Sequence, residues 1–483
     1  IANGDWSSDV CSSDLMVKMK TFKRLMGLIL ATSVTTGLMV GCGSSGNSGT
    51  GSSNSSSESD SDETSDESSE EEAQILTAGD ENGTELEMWT FVELHAQFYQ
   101  EMVKEWNEQN PDKTINLKLT VLPYGDMHTK LQSSLLAGKG APDLCDIEVG
   151  QFPNFLKGVP QLETLTDVVE PYKDSIVESR LNLYSSDGEV YGLPTHVGAT
   201  VAFYNTELLE AAGIDYTTIK TWDDFKEAGS KYYDATGKYL GTADTGSIWT
   251  ESLMISELGS DYTDDKGNPQ IDTPEMEKVL TTLKDLQDSN AIATIAGGQP
   301  DNEEAFGEYN NGNYACAIMP MWYMSRFINY MPELSGKIAI APAPVFEEGQ
   351  DRSVGGGGTG TVVTNQCEAK DLAKEFLAFA KLSEEGNIKV WEILGFDPVN
   401  TAVWDNEEVT NNPDNQYVQY FQNNPFDVLK EIRDEIGLCK VVANSPSINE
   451  VFCTTTLNSI FEDGESVQDA LDYAKDEVDN AIQ

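Results

Sequence analysis

The chain has 483 residues and carries 82 acidic against 30 basic side chains, which gives a formal net charge of −52 at pH 7. So acidic a chain argues against nucleic acid or an anionic lipid surface as the partner, because both carry the same sign of charge. The roughly 410 residues that follow a Ser- and Glu-rich N-terminal stretch suffice for two domains with sizeable cores.

The N-terminal residues predict processing and export rather than a folded element. Residues 1–15 resemble the translation of a sequencing-library adapter, and we interpret them as an artefact. A start at Met16 or Met19 is followed by basic residues, an apolar run and the sequence LMVGC. The apolar run has only about 16 residues, which is short for a membrane span. The pattern is typical of a lipoprotein signal peptide over residues 16–41, with Cys42 as the lipidated first residue.

Residues 42–80 form a segment rich in Ser, Gly, Asp and Glu, which we predict to be a disordered tether. Its acidic side chains repel one another and keep such a segment extended. The order of lipid, tether and folded region predicts a protein anchored to the outer face of the cell membrane, in a bacterium of the Gram-positive type.

Strands and helices alternate after the tether. We predict strands over 84–92, 115–122 and 144–149 and helices over 94–110 and 127–137. This alternation is typical of a parallel sheet with helices on both faces, in which ligands bind beyond the carboxyl ends of the strands. Five side chains occupy such positions: Phe91, Glu93, His95, Tyr124 and Glu148.

The stretch GEVYGLPTHVGATVAFYN, residues 188–205, lies between two such α/β patterns and contains a histidine, His196, at its centre. We predict a strand on either side of PTHVGAT, in which Gly198 can adopt backbone angles that other residues avoid. One interpretation is a crossing between two lobes, with His196 in the wall of a cleft. The other is the edge of a β-hairpin with a solvated histidine, and these residues alone do not decide between them.

The second half of the chain predicts further helices and strands. We expect a helix with Thr221 as its N-cap, another over 273–288, and strands over 314–319 and 338–341. A strand over 361–364 precedes a helix over 372–382, and the last ~100 residues show a helical pattern without a clear strand.

Aromatic residues at the ends of these elements indicate sugar binding, because aromatic rings stack on the C–H faces of sugars. Trp249, Trp322 and Tyr323 stand in such positions. By contrast, three tryptophans lie on apolar helix faces and are predicted to be core: Trp106, Trp222 and Trp391. The run GGGGTG, 355–360, lacks the P-loop spacing, and we interpret it as backbone that approaches a ligand closely.

Other chemistry finds little support in the pattern. The three histidines are widely separated and no CxxC or HExxH spacing occurs, so we expect no metal and no cofactor. The five cysteines after Cys42 are predicted to be free thiols. Glu93 and Glu148 both follow strands and would make a glycosidase pair if they faced one cleft. That enzyme remains an alternative, as does a polysaccharide-binding surface adhesin.

Several motifs, in this order along the chain, resemble the extracellular sugar-binding lipoproteins of bacterial ABC importers: WTFVELH, YGLPTHVGATVAFYN, KTWDDF, MPMWYMSRF, GGTGTVVTNQ and LAKEFLAFAKLSEEGN. The resemblance runs from about Glu85 to the C-terminus. It is greatest to binders of arabinose or arabino-oligosaccharides, and maltose-binding protein is a more distant relative.

The resemblance implies an α/β fold of two lobes, each a sheet flanked by helices, like that of maltose-binding protein. Residues 81–199 with 343–382 would form the first lobe, and residues 200–342 with 383–483 the second. Hinge crossings would lie near Gly198–Val201, Ala341–Pro344 and Lys381–Gly386. The lobes would close on a ligand without catalysis.

For the site, the resemblance implies that Glu93 holds sugar hydroxyls and that Trp322 stacks on the sugar. Gly150 and Gln151 replace the acid–arginine pair of maltose-binding protein, so a maltodextrin specificity does not follow. The expected ligand-binding residues are Phe91, Glu93, His95, Glu148, His196, Trp249, Trp322, Tyr323, Gly358 and Thr359. The expected partners are a neutral sugar, the permease subunits and the membrane, with the protein itself a monomer.

Overall fold

The computed structural model describes residues 74–482. The predictions for the adapter-like segment, the signal peptide, Cys42 and most of the tether concern residues 1–73, which lie outside the described part. The predicted tether, residues 42–80, extends too far towards the C-terminus. Residues 74–79 form a strand that pairs antiparallel with residues 116–121, so the folded region begins before residue 80.

The elements are numbered in chain order. The strands are β1 Gln74–Gly79, β2 Thr84–Thr90, β3 Ile115–Val121, β4 Leu144–Glu148, β5 Ser185–Ser186, β6 Glu189–Val190, β7 Leu193–Pro194, β8 Thr200–Asn205, β9 Gly241–Ala243, β10 Ile292–Thr294, β11 Cys316–Pro320, β12 Ile338–Ala341, β13 Ser353–Gly355, β14 Thr359–Val363 and β15 Ile436–Leu438. The helices are α1 Glu93–Gln109, α2 Tyr124–Ala137, α3 Phe152–Leu156, α4 Thr166–Val169, α5 Glu178–Asn182, α6 Thr206–Ala211, α7 Trp222–Thr236, α8 Trp249–Glu257, α9 Pro274–Asp288, α10 Glu303–Asn310, α11 Met324–Tyr330, α12 Lys370–Leu382, α13 Glu384–Lys389, α14 Glu407–Thr410, α15 Gln416–Tyr420, α16 Pro425–Glu431, α17 Ser445–Val451, α18 Leu457–Phe461 and α19 Val467–Ala481.

The first sheet has six strands in the order β1-β3-β2-β4-β14-β7. β2 runs parallel to β3 and β4, as the alternation of strands and helices predicts. β1, β14 and β7 are antiparallel to their neighbours, so the sheet is mixed rather than parallel. The direction of β14 follows from its origin, because the chain enters it from the second region and not through a β–α–β connection.

The second region is built around a three-stranded antiparallel sheet with β8 at its centre, between β11 and β12. β9 and β10 form a parallel pair beside it. β15 pairs in parallel with β13, which corrects the expectation that the last ~100 residues contribute no strand. Three half-buried residues are too short a run to show the alternation by which a strand is recognised in a sequence.

The chain passes between the two sheets at three places. β7 belongs to the first sheet and β8 to the second, so the first passage lies at the predicted position near Gly198. The second lies between β12 and β14. Residues 399–401 pair with residues 175–177, and the third passage near Lys381–Gly386 stays a prediction. The exact lobe boundaries stay a prediction.

Local predictions about helices and cores agree with the structure. Thr221 caps α7 in a capping box with Asp224, in which each side chain binds the other residue's backbone N–H. Trp106, Trp222 and Trp391 are buried in the cores, as predicted. The five described cysteines are free thiols. Among residues 74–482, no helix has both the length and the apolar composition of a membrane span.

Candidate functional site

Aromatic side chains meet at the carboxyl ends of β2 and β3, where the topology predicted ligand contacts. The Phe91 ring lies 5.2 Å from the ring of Tyr124, edge to face, and 5.2 Å from the ring of His128. Phe91 is half-buried and Tyr124 is exposed, so this cluster forms a surface that an apolar sugar face could contact. His128 was not among the predicted site residues. Its position four residues after Tyr124 on α2 is the signal that could have identified it.

Glu148, at the end of β4, joins this cluster through its half-buried carboxylate. One oxygen accepts the Gly150 N–H at 2.7 Å and the Tyr124 hydroxyl at 3.3 Å. Burial raises the pKa of Glu148 to about 7, although these hydrogen bonds oppose the shift. The Glu148 N–H donates to His128 Nε2 at 3.1 Å, which places the proton on Nδ1, where it binds the Tyr124 carbonyl. His128 is therefore held as a neutral ring.

Glu93 behaves differently from Glu148. It is exposed in the first turn of α1, and it has no hydrogen-bond partner among the described residues. The structure places the two predicted carboxylates in unlike surroundings, one half-buried against tyrosine and one in solvent. A glycosidase pair needs its carboxyl groups to face one another across a bond, and no contact of this arrangement links Glu93 to Glu148.

Asp146 is a buried residue of β4 that the sequence analysis missed. Its carboxylate accepts four hydrogen bonds, from Thr90 Oγ1 at 2.8 Å, His95 Nδ1 at 3.0 Å, Tyr99 at 3.1 Å and Thr361 Oγ1 at 2.7 Å. Burial opposes ionisation, but the hydrogen bond and charge of His95 outweigh it and hold the pKa of Asp146 well below its usual range. An aspartate inside the apolar strand LCDIE is the sequence signal for such a network.

We call Asp146 and its four hydrogen-bond partners the Asp146 network. Membership in this network explains the position of the His95 ring. The sequence analysis treated His95 as a ligand residue because it follows β2. Its ring is buried, bound to Asp146, and 5.9 Å from the ring of Phe396. One of its nitrogens is thus committed to positioning the end of β2 rather than free for a ligand.

The glycine loop, Gly355–Gly358, packs closely against side chains of other elements, and its predicted approach to a ligand stays a prediction. A Cβ atom added to Gly358 would lie 2.8 Å from Arg180 Nη2 and 3.0 Å from the Tyr184 hydroxyl oxygen. A Cβ at Gly357 would lie 3.2 Å from Trp322 Nε1. Both glycines have positive φ angles, +125° and +65°, so a side chain here would be strained as well as crowded.

Backbone carbonyls of this loop bind side chains from both regions. Trp322 Nε1 donates to the Gly356 carbonyl at 3.1 Å, and Arg180 Nη2 donates to the Gly357 carbonyl. The Trp322 ring is buried and meets the half-buried Trp249 edge to face at 5.5 Å, while the Arg326 guanidinium lies 5.3 Å from its centre. The two predicted tryptophans therefore do come together, at the same loop.

Tyr323 and Thr359 both form hydrogen bonds with other protein groups. Tyr323 is fully buried against Phe327, and its hydroxyl donates to the Pro300 carbonyl at 2.8 Å. The helical turn that starts at Met321 points Trp322 at the glycine loop and the next side chain into the core, which does not favour Tyr323 as a ligand residue. Thr359 Oγ1 lies 2.7 Å from Thr195 Oγ1, inside the strand contact of β14.

His196 is buried at the first passage between the sheets, which rules out the solvated hairpin edge. Its ring centre lies 4.7 Å from that of Phe396, and burial lowers its pKa. Beside it, Gly198 has a φ of +73°, and an added Cβ would come within 2.3 Å of the Gly356 carbonyl oxygen. The Asp397 carboxylate accepts the N–H groups of Gly198 at 3.0 Å and Ala199 at 2.7 Å. Asp397, which the sequence analysis missed, thus fixes the crossing strand.

Comparison with known proteins places this geometry in a family. A family model described as "Bacterial extracellular solute-binding protein" matches residues 93–387. The chain is 45% identical over 414 residues, 85% of its length and 93% of the relative's, to an arabinooligosaccharide-binding protein of Halalkalibacterium halodurans. It is 49% identical over 365 residues, 75% of its length and 84% of the relative's, to the protein of the same description in Bacillus subtilis.

A solved structure shows the same fold. The sugar-binding protein MalE from the phytopathogen Xanthomonas citri superposes with a TM-score of 0.69 at 18% identity, over 82% of this chain and 97% of that one. The two-lobe α/β fold predicted from the sequence is therefore confirmed. The chain belongs to the bacterial extracellular solute-binding proteins, which are carriers and not enzymes.

Proposed function

We propose that this protein captures a neutral sugar, an arabino-oligosaccharide or another pentose oligosaccharide, and delivers it to the permease of an ABC importer. The observation that carries the proposal is the identity of 45% and 49%, over most of the chain, to two arabinooligosaccharide-binding proteins. The glycosidase and adhesin alternatives are not favoured, because the family consists of carriers.

The geometry supports a polar, uncharged ligand. Phe91 offers an aromatic surface on the first region, and Trp249 and Trp322 offer another at the glycine loop. The Glu148 carboxylate offers acceptor oxygens beside Phe91 and Tyr124, while both nitrogens of the neutral His128 are bound to protein backbone. Aromatic faces with a few polar groups are the usual lining of a sugar site. Gly358 and His196 lie at the glycine loop, and Glu93 is exposed in the first turn of α1.

Capture would proceed by hinge closure, in which the ligand binds the closed form better and shifts the population towards it. The passage at Gly198 supports this mechanism, since Asp397 holds its backbone while a left-handed glycine makes the turn. Solution scattering with and without a saturating sugar tests it. A smaller radius of gyration with sugar is expected, and superimposable curves would contradict closure.

The cellular setting is also a proposal. Lipidation of Cys42 would hold a monomer at the outer membrane face, within reach of the permease, and the motif LMVGC supports it. Mass spectrometry of natively produced protein is the test. A diacylated or triacylated N-terminal cysteine is expected, whereas an intact peptide across Gly41–Cys42 would contradict the assignment.

Calorimetric titration decides the sugar. The panel should contain arabinose and its oligomers of two to four units, with xylose and maltose oligomers of the same lengths as controls. We expect the highest affinity among the arabinose oligomers. Equal heats from all members, or none from any, would contradict the proposed ligand.

A further inference from the structure

Arg180, at the glycine loop, is a buried cation whose charge is poorly satisfied. Its side chain is 1% exposed, and one of its nitrogens donates to the Gly357 carbonyl. Among residues 74–482, Nε and Nη1 have no hydrogen-bond partner. A guanidinium group stays charged in proteins, so its unpaired N–H groups cannot be neutralised by loss of a proton.

Two further side chains at the same loop, the buried His196 and the half-buried Trp249, have buried polar atoms without partners. His196 is 4% exposed, and neither ring nitrogen is hydrogen-bonded among the described residues; Trp249 Nε1 is likewise unpaired there. The three side chains converge on the glycine loop. A Cβ at Gly358 would lie 3.9 Å from His196 Cε1, and one at Gly357 would lie 3.4 Å from the Trp249 ring.

The Tyr184 hydroxyl, which lies 3.0 Å from a Cβ at Gly358, also lacks a partner among the described residues, so four side chains at this loop carry buried unpaired polar atoms. Buried donors without acceptors are costly, and natural proteins rarely keep several of them around one loop. Guanidinium and indole N–H groups can only donate, so the missing partner must offer acceptor oxygens. Sugar hydroxyl, ring and glycosidic oxygens all have that chemistry.

We propose that Arg180, His196 and Trp249 form a donor subsite that binds oxygen atoms of the sugar. This inference rests on the proposed function. It adds Arg180, which neither the sequence motifs nor the relatives assign, to His196 and Trp249, which the sequence already predicted as ligand residues. Gly357 then has a second role, because its carbonyl occupies one arginine nitrogen and leaves the other two for the ligand. The subsite supplies the guanidinium group that is absent after β4, where Gly150 and Gln151 stand.

The test compares Arg180→Met with Arg180→Lys in the full folded protein, by calorimetry with arabinotriose and by thermal unfolding without sugar. Arg180→Met should weaken binding by about a hundredfold, since charge-assisted hydrogen bonds are lost. Arg180→Lys should retain part of the affinity, because an ammonium group donates without the planar fork. The apo melting temperature of Arg180→Met should stay level or rise, because removal of a buried, poorly paired charge relieves its desolvation cost.

A matched control is Arg433→Gln, which removes a surface arginine paired with Asp405 and should leave sugar affinity unchanged. Unaltered affinity in Arg180→Met, or a lower apo melting temperature with affinity lost only in proportion to unfolding, would overturn the inference. Wild-type protein that binds no sugar of the panel would instead overturn the proposed function, and the inference with it. Loss of binding confined to an oligosaccharide that carries a uronic acid would also contradict it, because the subsite would then select a carboxylate.

Discussion

Buried polar groups are hydrogen-bonded in the Asp146 network, whereas several at the glycine loop have no partner among residues 74–482. Around Asp146, four donors converge on one carboxylate, and both of its oxygens are hydrogen-bonded. Around the glycine loop, Arg180, His196 and Trp249 keep unpaired polar atoms. A paired set holds strands at fixed positions, whereas an unpaired set costs stability unless a ligand completes it. On the proposal above, the first set is scaffold and the second set binds the ligand.

The largest effect should come from Asp146→Ala. This change removes the acceptor of the His95 ring and of three hydroxyl groups, of which only Tyr99 and Thr361 can still bond to each other. We expect a loss of about 3–5 kcal/mol in the free energy of unfolding. Chemical denaturation measures it. Thr221→Ala, which removes only a helix cap outside the site, should cost about 1 kcal/mol and serves as the control.

The Asp146 network also predicts a dependence on acid. Because its pKa is lower in the folded chain than the usual 3.8, the stabilisation is complete above that value and is lost as the pH falls below it. The wild type should therefore lose stability below about pH 4 more steeply than Asp146→Ala. Equal slopes would mean that a carboxyl group other than Asp146 has the lowered pKa.

Replacement of Trp322, which belongs to the second region, tests the glycine loop. Trp322→Ala should weaken sugar binding about a hundredfold, which corresponds to ~2.7 kcal/mol. The indole is 8% exposed and bonded to Gly356, so the apo protein should also lose stability.

The control for this change is Trp391→Ala, which empties a core position packed on Phe426. It should lower the melting temperature without affecting the affinity of the folded protein. If Trp322→Ala behaves in the same way, the sugar platform lies elsewhere, and Trp249 is the next residue to replace.

The smallest effect concerns pH and the half-buried Glu148. Its carboxyl group ionises at about pH 7 in the folded chain against an ordinary value of 4.5, because burial disfavours the charge. Between these values the folded state holds an extra proton, so the free energy of unfolding falls as the pH rises. Glu148→Gln should flatten this slope.

Ionisation of Glu148 should lower stability but increase the affinity for sugar. An ionised Glu148 accepts a stronger hydrogen bond from a sugar hydroxyl, so affinity should rise by about fivefold from pH 5 to pH 8. Glu257→Gln is the matched control, since Glu257 is also buried with a pKa of about 8 but binds Trp222 in the core of the second region. It should alter stability and leave the pH profile of affinity unchanged.

The sequence determined much of the architecture through local patterns. Alternation of strands and helices predicted the parallel core of the first sheet, and Thr221 predicted a helix start. The left-handed glycines of the run 355–358 lie where a side chain would be crowded, although the ligand predicted there is untested. These signals are readable because periodicity, capping and left-handed glycines depend on neighbours within a few residues. Trp249 and Trp322 were found because both stand at element ends.

Only the tertiary structure decided which polar groups meet. Asp146 gathers partners from residue 90 to residue 361, and Arg180 meets a glycine loop nearly two hundred positions later in the chain. The same holds for β14, whose direction depends on where the chain re-enters the sheet, and for Asp397, which binds the passage at Gly198. Hydrogen bonds between distant segments produce no periodic pattern in the sequence. The secondary structure around each partner depends on its neighbours in the chain and not on the distant group that it binds.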